Sequence, residues 1–135
     1  MTKYLIGLTE PQALAYQRGL FMLSRPNPSP YDVTRYFGGI VPHGSDGTFA
    51  AELDLDAVLP LDVTANAAEF AMDTQEEQEA WASLVGSISD DEWGAMAQKI
   101  QVGLPVTVSN FIPEAISGLL VDAAAATAAG YPINT

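Results

Sequence analysis

Apolar residues return every three or four positions over several stretches of the chain, and every second position over another. Trp81, Leu84, Val85 and Ile88 follow Asp73-Thr74-Gln75-Glu76, and Trp93, Met96, Ala97 and Ile100 follow Ser89-Asp90-Asp91-Glu92. Each run is one apolar helix face behind a capping-box start, with acids at the positive end of the helix dipole. The spacing predicts helices over 74–88 and 90–101, with both tryptophans in the core. Thr9-Glu10-Pro11-Gln12 opens an earlier helix: Thr9 caps, Gln12 reaches back, and Pro11 sits in the first turn, where an amide hydrogen has no partner. Its apolar residues fill most of its circumference, with Ala13, Tyr16, Leu20 and Leu23 on one side and Leu14 and Phe21 beside Gln17 and Arg18 on another. A helix of this kind is well buried or interfacial. Pro113 opens a further predicted helix over 113–129, which Gly130 ends, and Gly103 stops the helix before it.

Alternation marks the strands. Within Thr48–Val63, Glu52, Asp54 and Asp56 alternate with Leu53, Leu55 and Ala57, which puts three carboxylates on one face and apolar side chains on the other. Pro60 makes this a bent or edge strand. Leu104–Phe111 reads as a second strand with Val106 and Val108 on one face. Residues 3–8 read as a short strand or an extended arm. The prolines of Ser24-Arg25-Pro26-Asn27-Pro28-Ser29-Pro30-Tyr31 predict an extended crossing, followed by a helical turn over Tyr31–Phe37. Pro42–Gly47 is a loop, and Asn66–Met72 a weaker helix. No internal repeat is present. The expectation is a single α+β domain over residues 1–135, with about four helices and a small antiparallel sheet, an extended N-terminal arm (1–8) and a C-terminal tail (130–135).

Composition narrows the chemistry. The chain has 135 residues, 48% of them apolar, enough for a globular core without staples. With no Cys there is no disulfide, thiolate nucleophile or thiolate metal site, and a single His excludes multi-His metal sites within one chain. Seventeen acids against five cations give a net charge of -12, which disfavours nucleic acid and anionic membrane surfaces alike. The apolar run near the N-terminus is too short for a signal peptide, and Ile112–Gly130, interrupted by Glu114 and Asp122, falls short of a membrane span.

Charge is unevenly placed. Residues 1–35 carry Lys3, Arg18, Arg25 and Arg35 against Glu10 and Asp32, a net of +2, whereas residues 36–135 carry Lys99 against fifteen acids, a net of -14. The two parts are complementary. They meet either inside one molecule or between molecules, and in the second case the contact is head-to-tail and closes into a ring or propagates.

Candidate sites follow from this. His43, Ser45 and Asp46 are the residue types of a hydrolase triad, but neighbours in one loop seldom reach triad geometry, so His43 reads as structural. Glu52, Asp54 and Asp56 are oxygen ligands without the spacing of a calcium loop, and read as a solvated strand face open to a basic partner. Asp73–Glu79 and Asp90–Glu92 are helix-start acids that also suit a basic protein. Arg18, Arg25, Tyr31 and Arg35 combine the residue types enriched at protein contacts. No Gly-rich phosphate loop or Gly-x-Ser-x-Gly elbow is present, no cofactor or metal is expected, and the chain is not expected to be an enzyme.

In texture, with few lysines, many Ala, Thr, Asn and Pro and extended ends, the chain resembles accessory proteins of tailed-phage particles. The resemblance implies a structural protein of the virion, such as a capsid decoration, neck or tail subunit. Such a protein acts through protein–protein contacts as a homo-oligomer or part of a larger assembly. No motif carries it, and it transfers no functional residue. The partner-contact candidates are Arg18, Arg25, Tyr31, Arg35, Glu52, Asp54 and Asp56. The alternative is a small acidic cytoplasmic inhibitor, an immunity protein or nucleic-acid mimic, that blocks a basic site through residues 52–56, 73–79 and 90–92.

Overall fold

A computed structural model of the chain describes residues 1–23, 39–59 and 74–133. The proline-rich crossing, the turn over 31–37, Pro60 with the end of the long strand, and the helix over 66–72 lie outside the described residues. So do Arg25, Tyr31 and Arg35.

The architecture is α+β. Four strands, β1 (Thr2–Leu8), β2 (Ile40–Pro42), β3 (Phe49–Asp54) and β4 (Leu120–Val121), form one antiparallel sheet in the order β2-β3-β1-β4. Among the described residues there are three longer helices, α1 (Glu10–Leu23), α2 (Gln75–Gly86) and α3 (Asp90–Gln101). Three short ones accompany them: α4 (Val108–Phe111), α5 (Glu114–Ser117) and α6 (Ala123–Ala128).

Residues 3–8 take the strand alternative. Leu5 and Leu8 are buried, so β1 is an inner strand, paired with β3 on one side and β4 on the other. Alternation then sorts the sheet into two faces. Leu5, Ala51 and Leu53 face the main core, which α1 and α2 cover with Tyr16, Leu20, Trp81 and Leu84. Tyr4 and Ala50 face a second, smaller cluster with Ala126 and Tyr131 of the C-terminal segment. Both sheet faces are therefore covered.

The sheet edges are short. Glu52 N donates to Gly39 O and His43 N to Thr48 O, so the peptide groups of Ile40 and Pro42 point away from β3. Pro42 has no amide hydrogen there, which leaves Ile40 as the sole outward donor of β2 and blunts that edge against further strands.

The helix starts follow the capping residues. Thr9 and Gln12 bond reciprocally at 3.0 and 3.3 Å, and Ser89 and Glu92 form a complete capping box. At α2 only half of the box forms: Thr74 Oγ1 accepts from Glu77 N at 3.2 Å, while the Glu77 carboxylate turns to Arg18. Two glycines stop helices as expected. Gly103 and Gly130 adopt φ of 78° and 107°, and the following amides, Leu104 N and Tyr131 N, reach back to Lys99 O and Ala126 O. Both ends are Schellman motifs, which only a residue at ease with positive φ closes without strain.

Three expectations are corrected. The helix over 113–129 is broken into α5, β4 and α6. Gly118 ends the first piece, Leu120 and Val121 pair with β1, and Asp122 restarts the helix by accepting Ala125 N at 2.8 Å. The strand over 104–111 gives way to α4, because Asn110 Oδ1 takes Thr107 N at 3.1 Å and turns the chain. Its one strand-like trace is the bridge between Val58 and Thr107. The strand from Thr48 ends at Asp54 in a turn, so Asp56 lies beyond the ladder that holds Glu52 and Asp54.

Candidate functional site

Arg18 projects from the side of α1 that meets α2. Its guanidinium lies 3.1 Å from Glu77 Oε2, and the side chains are 12% and 5% exposed. The pair fastens α1 to α2 beside the contact of Gly19 with Trp81, where a methyl group on Gly19 would overlap the indole ring. Of the N-terminal cations, Arg18 thus meets an acid of the remainder inside the molecule.

Glu52, Asp54 and Asp56 sit in three settings. Glu52 is half-buried opposite Tyr4 across the β1–β3 pair. Burial and then the Glu52 charge push the Tyr4 phenol above its ordinary range. Asp54 Oδ1 accepts Asp56 N at 3.1 Å, and the Met1 ammonium bonds Asp56 Oδ2 and lies 3.7 Å from Asp54 Oδ1. Asp54 and Asp56 thus share one ammonium at the exposed end of this face. Beneath Glu52, buried Gln17 donates from Nε2 to Glu52 O at 2.9 Å and to Gly39 O, tying α1 to both strands. Sequence reasoning missed this role. The available signal was an amide flanked by Leu14 and Phe21 in a helix whose apolar residues fill most of its circumference.

His43 belongs to a polar cluster that holds the C-terminal segment. Its Nδ1 accepts the amides of Ser45 and Asp46, both at 3.0 Å, and its Nε2 lies 2.9 Å from Ala129 O. With Nδ1 accepting twice, Nε2 carries the hydrogen and donates it to Ala129. Asp46 accepts from Thr48 Oγ1 at 2.5 Å and Thr48 N at 2.9 Å, and these bonds lower its pKa. Thr48 Oγ1 meets the Tyr131 hydroxyl at 2.6 Å, which in turn accepts Gly7 N at 2.9 Å. The Tyr131 and His43 rings meet edge-on with centroids 5.0 Å apart. Ser45 contributes its amide rather than its hydroxyl, and both ring nitrogens are occupied, so the three residues form a loop scaffold, as the sequence implied. Residues 131–133 are accordingly anchored against the sheet rather than a loose tail: Tyr131 is buried and Ile133 half-buried.

A groove of about 240 Å³ runs between α3 and α4, with Glu92, Met96, Lys99, Ser109 and Asn110 among its lining residues. Lys99 Nζ donates to Asn110 Oδ1 at 3.1 Å. The Glu92 carboxylate accepts Ser89 N and Glu114 N at 3.1 and 3.0 Å, which lowers its pKa and ties α3 to α5. These groups hold the fold together. Among the described residues, no cluster of three His, Asp or Glu side chains is placed to hold a metal ion. None of the described helices is long and apolar enough to cross a membrane.

The outer side of α3 differs from the rest of the surface. Met96 is its one buried residue. Trp93, expected in the core, is 38% exposed and rests edge-on against Phe111 at 5.6 Å, because Trp81 already stacks on that ring. Ile100 is 45% exposed, Leu104 54% and Val58 51%.

The chain matches no protein family model, no curated protein and no solved structure.

Proposed function

We propose that the chain is a non-enzymatic assembly component, an accessory protein of a tailed-phage virion such as a capsid decoration, neck or tail subunit, acting through protein–protein contacts. The observation that carries this reading is the apolar surface at the α3 end. Trp93, Ile100, Leu104 and Val58 remain more than a third exposed in a chain of net charge -12. Trp93 and Ile100 on α3 and Leu104 just after it leave large apolar side chains in solvent along one stretch of chain, and exposed apolar patches mark contact surfaces. The polar clusters support the reading in a second way. His43, Asp46, Glu92 and Lys99 spend their hydrogen bonds on backbone and neighbouring side chains. The chemistry of the chain is thus directed to holding a shape.

The test is add-back. Purified chain is mixed with particles from a phage that lacks the gene and then sedimented. The reading predicts saturable co-sedimentation, weakened by charge reversal at Asp54 and Asp56. A chain that stays in the supernatant at all concentrations contradicts it.

A further inference from the structure

We infer that the groove between α3 and α4 is a binding site for a small zwitterion, a free α-amino acid with a short apolar side chain. The inference stands apart from the assembly reading. Lys99 is the sole Lys or Arg of residues 36–135, a stretch that holds fifteen acids. It is half-buried, yet among the described residues its one side-chain partner is a neutral amide, Asn110 Oδ1 at 3.1 Å. An ammonium carries three hydrogens, so two stay unspent. A partly buried cation without a counter-ion is costly, and a negative group brought in from outside offsets that cost.

Asn110 adds donors beside it. Its Oδ1 accepts Thr107 N at 3.1 Å, which fixes the orientation of the amide, because a backbone N–H only donates. Nδ2 therefore turns away from Thr107, and among the described residues it donates to nothing. Lys99 Nζ and Asn110 Nδ2 together suit a carboxylate.

The same groove holds an acceptor for the other end of the ligand. Glu92 and Lys99 both line it, seven residues apart in α3. That is two helical turns, about 10.5 Å along the axis, on one face. The Glu92 carboxylate accepts Ser89 N on one oxygen and Glu114 N on the other, and each oxygen keeps a second lone pair. These bonds hold its pKa below the ordinary value, so it stays ionised at neutral pH and suits an ammonium.

Charge selects the class of ligand. A lone anion is repelled by Glu92 and by the net charge of -12, and a lone cation meets Lys99. A zwitterion has no net charge to be repelled, and each of its ends meets the opposite sign. Size and lining select its body. The groove holds about 240 Å³, below the roughly 300–1,000 Å³ of sites for drug-sized ligands, and Ala95, Met96 and Ile112 give it an apolar wall.

A two-dimensional proton–nitrogen NMR titration of the full chain reads this directly. The probes are L-valine, N-acetyl-L-valine, which lacks the ammonium, and L-valinamide, which lacks the carboxylate, each taken to about 20 mM. The expected result is saturable shifts at the amides of Lys99, Asn110 and Glu114 with valine, half-complete near about 1 mM. Each blocked form should bind at least about tenfold more weakly. Lys99→Gln should weaken valine binding about tenfold while its spectrum keeps the dispersion of the folded parent. Three results would overturn the inference: no saturable shift with valine, a blocked form that binds as tightly as valine, or a folded Lys99→Gln variant that binds like the parent. Should Lys99→Gln not fold, the comparison of valine with its two blocked forms decides alone.

Discussion

Gly19 illustrates how much can rest on one absent methyl group. The Trp81 ring occupies the space where its side chain would begin, so Gly19→Ala must push α1 from α2 or turn the indole. Overpacking of this kind costs about 1–3 kcal/mol, measurable by urea denaturation. Next to it, Glu77→Ala withdraws the carboxylate from a guanidinium that is itself 12% exposed. Breaking a buried pair from one side costs about 3–5 kcal/mol, and equilibrium unfolding of the variant should show a loss of that order. Asp46 makes a pH-dependent prediction. Its pKa is held below the ordinary carboxylate value by hydrogen bonds from the Thr48 side chain and backbone. The stability it contributes is therefore present above about pH 4 and lost as pH falls through the lowered folded value. In melts taken between about pH 5 and about pH 3, Asp46→Asn should lose stability less steeply than the parent. Equal slopes would show that the Thr48 bonds do not favour the charged form.

Elements were legible in the sequence where a local rule decides them. Thr9 with Gln12, and Ser89 with Glu92, close the boxes that their spacing implies, and Gly103 and Gly130 end helices because their backbones turn left-handed. Ser89→Ala should cost about 1 kcal/mol, and a melt showing no change would mean that α3 does not depend on its cap. Legibility ended where distant chain competed with local preference. Ile112–Ala129 reads as helix on its own terms, yet Leu120 and Val121 gain more by completing the edge of β1. Trp93 has the spacing of a core residue, but Trp81 takes the stacked position on Phe111 and Trp93 meets that ring at a right angle, partly in solvent. Of the candidate site, the structural role of His43 was readable from its neighbours in one loop. The roles of Tyr131 and Thr48 were not, because 83 residues separate them and only the fold brings them together.

At the scale of the molecule, the charge asymmetry read from sequence is resolved partly within the chain. Arg18 meets Glu77, and the N-terminal ammonium meets Asp56. The exterior stays strongly acidic, and residues 100–113, which follow Lys99 at the end of α3, carry no charged side chain. A chain of this kind gains most from contacts that are apolar at the centre and bordered by charge. The proposed role, that of a building part of a tailed-phage particle, is tested most directly by the protein composition of purified virions of a phage whose genome carries this sequence. The account predicts that quantitative mass spectrometry finds the chain at a fixed copy number relative to the major capsid or tail protein, retained through high-salt washing. Its absence from washed, infectious particles would contradict the account.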